Sequence, residues 1–193
     1  MSTNSSQSLK TVNETSPHGI YIYDHDDSVW HLIRSDGEPF KPDKKGIYVI
    51  YFDNTKCSAC RKYDTIWFPF IENNMRNKKQ YNFIIVLCNW FARDCNSTAA
   101  AETFKRFDVH ASPTTIVLYV DENNEIKYQE KYEGVLYEFE IKLVLDGFEE
   151  RVAKALRGEK VSPPIEKKSS NVLDEIILQI LKAIIEKGDK QER

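Results

Sequence analysis

Continuous apolar runs recur along the middle of the chain and predict a buried β-sheet. Residues 47–52, 81–87 and 114–120 are almost entirely aliphatic, β-branched or aromatic. Runs of this length and composition are typical of strands that are covered on both faces. A polar turn at 121–124 follows the third run, so residues 125–132 are expected to pair with that run as a hairpin.

Segments with helical periodicity lie between and after these strands. Residues 58–75 carry apolar side chains at helical spacing, and Pro69 is expected to kink that helix. Asn96-Ser97-Thr98 can cap a second helix. A long helix is predicted from 137 to 157, with Gly158 at its end. The order β-α-β-α-β-β-α predicts an α/β fold, in which a mixed central β-sheet is flanked by helices on both faces.

The predicted domain spans residues 18–158 and begins with an extra hairpin. Two apolar segments, 20–23 and 29–33, flank a polar turn, which is typical of an N-terminal β-hairpin. Residues 1–17 are rich in Ser, Thr and Asn and offer little to bury, so they predict a disordered tail.

Two segments follow the domain. Residues 159–170 contain two prolines and several charges, and they predict a linker. Residues 171–188 predict an amphipathic helix whose apolar side chains cover more than half of its circumference. So wide an apolar face needs cover, either on the chain's own domain, in a homodimer or on a partner protein.

Composition and charge argue against several classes of function. Of the 193 residues, 41% are hydrophobic and 30% are charged, which is typical of a globular protein. The net charge of −3 predicts no binding to nucleic acid. No apolar run approaches the ~20 residues that span a bilayer, so no membrane span is expected. The polar start lacks a signal-peptide core, so we expect a cytoplasmic protein.

Cys57 and Cys60 directly follow the first buried strand, at the predicted start of a helix. Unpaired N–H groups and the helix dipole at such a position favour a thiolate over a thiol. Lys56 and Arg61 add positive charge, which is expected to act in the same direction. Cys60 lies one turn further along and should be less exposed, so it can attack a mixed disulfide formed by Cys57.

These residues resemble the thioredoxin superfamily over 46–158. The matching pieces are the strand 48–52, the motif Cys57-Ser58-Ala59-Cys60, the sequence Ser112-Pro113-Thr114 and Gly134 after the last strand. The resemblance implies a thioredoxin-like fold and a thiol–disulfide oxidoreductase that uses no cofactor. Cys57 would be the nucleophile and Cys60 the resolving thiol.

The resemblance also implies how substrates bind. The Ser112–Pro113 peptide bond would be cis and face the cysteines, and the backbone of Ser112 would pair with a substrate strand. The expected partners are protein disulfides and an unidentified reductase or oxidant. The chain departs from the family where Tyr51 occupies the position of a buried acid and Lys56 that of a tryptophan. We therefore expect the family's buried proton acceptor to be missing from the Tyr51 position.

The second cysteine pair leaves alternatives open. Cys88 ends a buried strand and Cys95 lies in the following loop, so the two could form a structural disulfide separate from turnover or remain free thiols. We expect no metal, although all four cysteines could bind zinc if the wide second spacing were tolerated. A rival function is a non-catalytic adaptor that binds a partner through the hairpin or the C-terminal helix.

Overall fold

The computed structural model describes residues 8–166, and a seven-stranded sheet forms its centre. In chain order the strands are β1 (Ser8–Leu9), β2 (Gly19–Asp24), β3 (Val29–Arg34), β4 (Gly46–Asn54), β5 (Tyr81–Cys88), β6 (Thr114–Val120) and β7 (Ile126–Glu133). Their order across the sheet is β1-β3-β2-β5-β4-β6-β7. Strands β4 and β5 are parallel, whereas the other neighbouring pairs are antiparallel, so the sheet is mixed.

Helices cover both faces of this sheet. They are α1 (Ser58–Phe70), α2 (Thr98–Arg106), α3 (Glu138–Asp146) and α4 (Phe148–Leu156). Side chains of α1, α3 and α4 pack into one apolar cluster, and those of α2 pack into another. The predicted α/β class is confirmed, and the element order from β4 to α4 is that of a thioredoxin-like fold.

Strand β4 lies between the two apolar clusters and explains why its sequence is apolar throughout. Successive side chains of a strand point to opposite faces. Alternate residues of β4 therefore enter different clusters, with Ile47, Val49 and Tyr51 in one and Tyr48, Ile50 and Phe52 in the other. Cys57 lies only three residues beyond the end of this strand.

The prediction of a disordered tail over 1–17 is wrong from Ser8 onward. Strand β1 pairs with β3 at the sheet edge, where Leu9 lies opposite Trp30. Val12 is fully buried in the cluster that contains α1. Two apolar residues among many polar ones give too weak a signal to predict this, but they suffice to cover an otherwise open strand edge.

The predicted single helix over 137–157 is also wrong, because it is broken at Gly147. Glycine is unfavourable inside a helix, by about 1 kcal/mol relative to alanine. The guanidinium of Arg151 crosses here, and a Cβ atom on Gly147 would lie 2.6 Å from its Nη1 atom. Arg151 can thereby donate from Nη2 to the carbonyl oxygen of Val144 at 2.6 Å.

Pro69 does not end the first helix. It lies inside α1, and two residues later the chain changes to a π-helical turn over Ile71–Met75. The hydrogen-bonding pattern of the helix therefore changes just after Pro69, and both prolines and π-helical turns are recognised causes of helix kinks.

The C-terminal part is described only as far as residue 166. Residues 159–166 form neither helix nor strand, and Ile165 packs against the cluster that contains α1. The helix predicted at 171–188, with its homodimer or partner contact, lies outside the described residues. Within 8–166, no helix is both long and apolar enough to cross a membrane.

Candidate active site

Cys57 is the N-cap residue of α1. Its backbone is extended, and its Sγ atom accepts a hydrogen bond from the N–H of Cys60 at 3.3 Å. The N–H of Cys57 in turn donates to the carbonyl oxygen of Asn54, the last residue of β4, at 3.0 Å. The thiol is therefore held at the positive end of a helix by the strand that precedes it.

The loop before β6 closes the site over both sulfur atoms. The carbonyl oxygen of Ser112 lies 3.4 Å from Cys57 Sγ, and the Ser112 hydroxyl lies 2.8 Å from Cys60 Sγ. The peptide bond between Ser112 and Pro113 is cis, and the Pro113 carbonyl accepts from the N–H of Gly134 at 2.7 Å. The four residues assigned to catalysis and substrate binding thus lie together.

The two thiols differ in exposure and acidity. Both are free, with 8% of Cys57 exposed and none of Cys60. The hydrogen bond with the Cys60 side chain, assisted by backbone N–H groups, lowers the pKa of Cys57 to about 6 despite burial. Burial, followed by the interaction with Cys57, raises the pKa of Cys60 far above its ordinary value. At neutral pH the first sulfur is therefore largely a thiolate and the second a thiol.

The cations near Cys57 are engaged elsewhere. Lys56 Nζ lies 2.6 Å from an oxygen of Asp94, and Arg61 Nη2 lies 2.5 Å from Asp53 and 3.2 Å from Asp64. The expected electrostatic help from Lys56 and Arg61 is thus secondary to the hydrogen bonds at the helix start.

A buried carboxylate lies beside Cys60, although the family's position for such an acid is occupied by Tyr51. Asp53 is fully buried near the end of β4. Burial raises the pKa of Asp53, while Arg61 and then the neighbouring Cys60 thiol oppose that rise. Within the described residues, its Oδ2 atom lacks a hydrogen bond of ordinary geometry. Asp53 is therefore available to exchange a proton with the thiol.

Asp64 extends this acidic group on α1. It accepts from the hydroxyl of Tyr51 at 2.9 Å, and the same hydroxyl lies 3.3 Å from the Cys60 carbonyl oxygen. Burial, and then the negative charge of Asp53, raise the pKa of Asp64 to about 7. Sequence reasoning missed both acids. The available signal was an aspartate at the end of a buried run, eight residues before an arginine in the next helix.

Cys88 and Cys95 are joined by a disulfide bond, with their Cα atoms 4.7 Å apart. The zinc alternative is therefore contradicted, since two of its four ligands are bonded to each other. Among residues 8–166, no other group of three His, Cys, Asp or Glu side chains could hold a metal ion.

Comparisons with known proteins concern the fold. No family model and no curated protein matches the chain. Among solved structures it is similar to the thioredoxin of Trichomonas vaginalis, with 19% identity over 56% of this chain and 78% of that one and a TM-score of 0.36.

Two further solved structures are similar at the same level. The thioredoxin of Aeropyrum pernix has 11% identity over 71% of this chain and 97% of its own, with a TM-score of 0.43. StoA of Bacillus subtilis has 18% identity over 52% and 83%, with a TM-score of 0.33. Likeness at this level assigns no family, activity or substrate to this chain.

Proposed function

We propose that the protein is a thiol–disulfide oxidoreductase that acts on protein disulfides through Cys57 and Cys60. One observation carries the proposal, namely that two free thiols on one helical turn have pKa values shifted in opposite directions. A purely structural pair has no need of one activated sulfur and one protected sulfur.

The first step uses the Cys57 thiolate. Its sulfur attacks one sulfur of the substrate disulfide, forming a mixed disulfide while the other substrate sulfur leaves as a thiolate. The pKa of about 6 keeps Cys57 largely ionised at neutral pH. A thiolate with a pKa close to the ambient pH combines a large ionised fraction with good nucleophilicity.

The second step uses the Cys60 thiol. Its proton passes to the Asp53 carboxylate, and the resulting thiolate attacks Cys57 Sγ. The mixed disulfide breaks, the second substrate thiolate leaves, and Cys57 and Cys60 end as a disulfide. A carboxylate with a raised pKa is a stronger base than an ordinary one, so burial suits Asp53 to this role.

We assign substrate binding to Ser112 and Pro113. Ser112 already contacts both sulfur atoms, through its carbonyl oxygen and its hydroxyl. A substrate strand that paired with its backbone would bring a disulfide to Cys57. Regeneration of the cysteine pair needs a reductase or an oxidant, depending on the direction in which the exchange runs.

Trapping the mixed disulfide tests this assignment. Cys57→Ser should abolish the reduction of insulin disulfides. Cys60→Ser should instead accumulate a covalent adduct through Cys57, visible by non-reducing electrophoresis and mass spectrometry. Thr65→Ser, on an exposed position of the same helix, is the control and should turn over normally. Full activity in Cys57→Ser, or equal alkylation of the two cysteines at neutral pH, would contradict the proposal.

A further inference from the structure

The segment that leads into Cys57 is bound by the loop that the second disulfide closes. We call residues 88–95 the disulfide loop. The Thr55 N–H donates to the Cys88 carbonyl at 2.9 Å, and the Lys56 N–H donates to the Asn89 carbonyl at 3.2 Å. The side-chain oxygen of Asn54 accepts from the Phe91 N–H at 2.6 Å. Each of the three residues before Cys57 is therefore hydrogen-bonded to this loop.

Side chains add a second set of contacts between the same two segments. The Thr55 hydroxyl donates to the Asn89 side-chain oxygen at 2.7 Å, and Lys56 forms its 2.6 Å ion pair with Asp94. His18, which belongs to neither segment, also binds this region: its Nδ1 accepts from the Asn96 N–H at 2.8 Å, so Nε2 carries the hydrogen and donates to the same Asn89 oxygen at 3.1 Å.

The loop owes its shape to contacts at its own base. The N–H groups of Asn89 and Trp90 both donate to the Asp94 carbonyl at 3.0 Å. The Asn89 amide also donates to the Asp94 carboxylate at 3.1 Å. The bond between Cys88 and Cys95 fixes the two ends beside this base. Opening it would free the loop and loosen the contacts with the segment before Cys57.

We propose that the disulfide loop positions Cys57 for ionisation, so that opening the Cys88–Cys95 bond makes Cys57 less reactive. Cys57 Sγ accepts from the Cys60 N–H only while the Cys57 backbone stays extended at the helix start. The contacts of Asn54, Thr55 and Lys56 with the loop hold that conformation. The inference rests on the proposed function and replaces the expectation that this disulfide is separate from turnover.

The state of Cys88–Cys95 would then regulate the first cysteine pair. Freeing Lys56 from Asp94 leaves an exposed cation near Cys57, which would favour the thiolate slightly. That contribution is screened by water. Loss of the N–H donors at the helix start acts in the opposite direction, and it dominates because these groups contact the sulfur directly.

The test measures the pH profile of Cys57 alkylation. Two variants disturb the loop, Cys88→Ala with Cys95→Ala, and Asn89→Ala with Asp94→Ala, of which the second keeps the disulfide. Wild type and the Asn89/Asp94 variant are reduced only until mass spectrometry counts two free thiols per chain. The variant without Cys88 and Cys95 has only two cysteines and is reduced completely. The titratable groups that face Cys57, chiefly Cys60 and Asp64, are unchanged in both.

We expect the apparent pKa of Cys57 to rise from about 6 by about one unit in the variant without the disulfide. At pH 6 such a rise lowers the thiolate share from about one half to about one tenth, a fall of about fivefold in alkylation rate. The Asn89/Asp94 variant should show a smaller shift in the same direction. Wild type with all four cysteines reduced should match the disulfide-free variant.

Two controls separate positioning from general destabilisation. Val144→Ala removes core volume beneath α3, and Asp26→Ala removes the exposed ion pair between the β2–β3 turn and Lys79. Both should keep the wild-type profile even where the melting temperature falls.

The two failures are distinguishable. A wild-type Cys57 that titrates near the ordinary thiol value of about 8.5 contradicts the proposed function. A wild-type Cys57 that titrates near pH 6 and stays there in every loop variant overturns the positioning role alone. If the disulfide-free variant does not fold, the Asn89/Asp94 variant decides.

Discussion

Two arginine–carboxylate clusters are buried within residues 8–166, and they differ in how completely their hydrogen bonds are made. The carboxylate of Glu130 on β7 accepts hydrogen bonds from Nε and Nη2 of Arg151, at 2.6 and 3.0 Å. The hydroxyls of Tyr128 and Tyr132 donate to the same carboxylate at 2.8 and 2.5 Å. Arg151 also reaches the Val144 carbonyl. Every oxygen of Glu130 has two donors.

The cluster beside the cysteines is incomplete. Arg61 contacts Asp53 and Asp64 through one nitrogen, Nη2. Among the described residues, Asp53 Oδ2 and Arg61 Nε lack hydrogen bonds of ordinary geometry. Buried polar atoms are almost always satisfied, and an exception next to reactive thiols is typical of a site that must exchange protons. The comparison predicts that the first cluster serves stability and the second serves turnover.

The largest expected effect is a loss of folding stability when the complete cluster around Glu130 is disrupted. Arg151→Met would leave Glu130 buried without its counter-charge, so the free energy of unfolding should fall by about 3–5 kcal/mol. Denaturant unfolding measures this. The molecules that remain folded should reduce insulin at the wild-type rate. Adding Glu130→Gln should restore much of the loss, because no buried charge then remains. A loss confined to turnover would reverse the roles of the two clusters.

Asp53→Asn should affect turnover instead of stability. General acid–base catalysis typically contributes about 10²–10⁴-fold. Because Asp64 remains nearby and can partly replace Asp53, we expect a smaller effect, in which the second step slows by at least about tenfold. Because the first step is unaffected, the mixed disulfide through Cys57 should accumulate transiently, which rapid acid quenching and mass spectrometry can follow. The unfolding free energy should change little, since a carboxylate with a raised pKa is disfavoured by folding.

Asp26→Asn provides the matched control for that substitution. It makes the same chemical change in the exposed pair with Lys79, remote from the cysteines, and should leave both steps unchanged. If Asp53→Asn shows no accumulation of the mixed disulfide, Cys60 loses its proton by another route.

The sequence predicted those parts of the molecule that have a strong local pattern. The runs that became β4, β5 and β6 could be recognised because strands between two helical layers are apolar on both faces. Cys57 and Cys60 could be recognised because their spacing matches one helical turn. These signals sufficed for the fold class and for the reactive pair.

The rest depended on contacts between distant segments. Asp53 and Arg61 are close in sequence, but only the packed structure shows that the carboxylate is buried beside Cys60. The structure of residues 8–12 depends on pairing with the edge of β3. The helix break at Gly147 depends on the path of Arg151 toward Glu130. No local pattern carries such information. The resemblance even misled at Tyr51, since the acid stands two residues further along the same strand.

The smallest expected effect is on the reduction potential of the cysteine pair. Below the pKa of Cys57, reduction binds two protons with its two electrons, so the potential should fall by about 59 mV per pH unit. Above that pKa Cys57 stays ionised in the reduced form, only the Cys60 proton is bound, and the slope should halve to about 30 mV per pH unit.

The pH at which the slope changes reports the acidity of Cys57 in the folded protein. It should lie near pH 6, because the hydrogen bond with the Cys60 side chain, assisted by backbone N–H groups, lowers the Cys57 pKa to about 6. Equilibration with glutathione between pH 5 and 8 measures it, with the Cys88–Cys95 bond checked by thiol counting. Glu130→Gln lies in the complete cluster and should keep the same break. A single slope across this range would mean that Cys57 is not ionised early, and the distinction between its acidity and that of Cys60 would be lost.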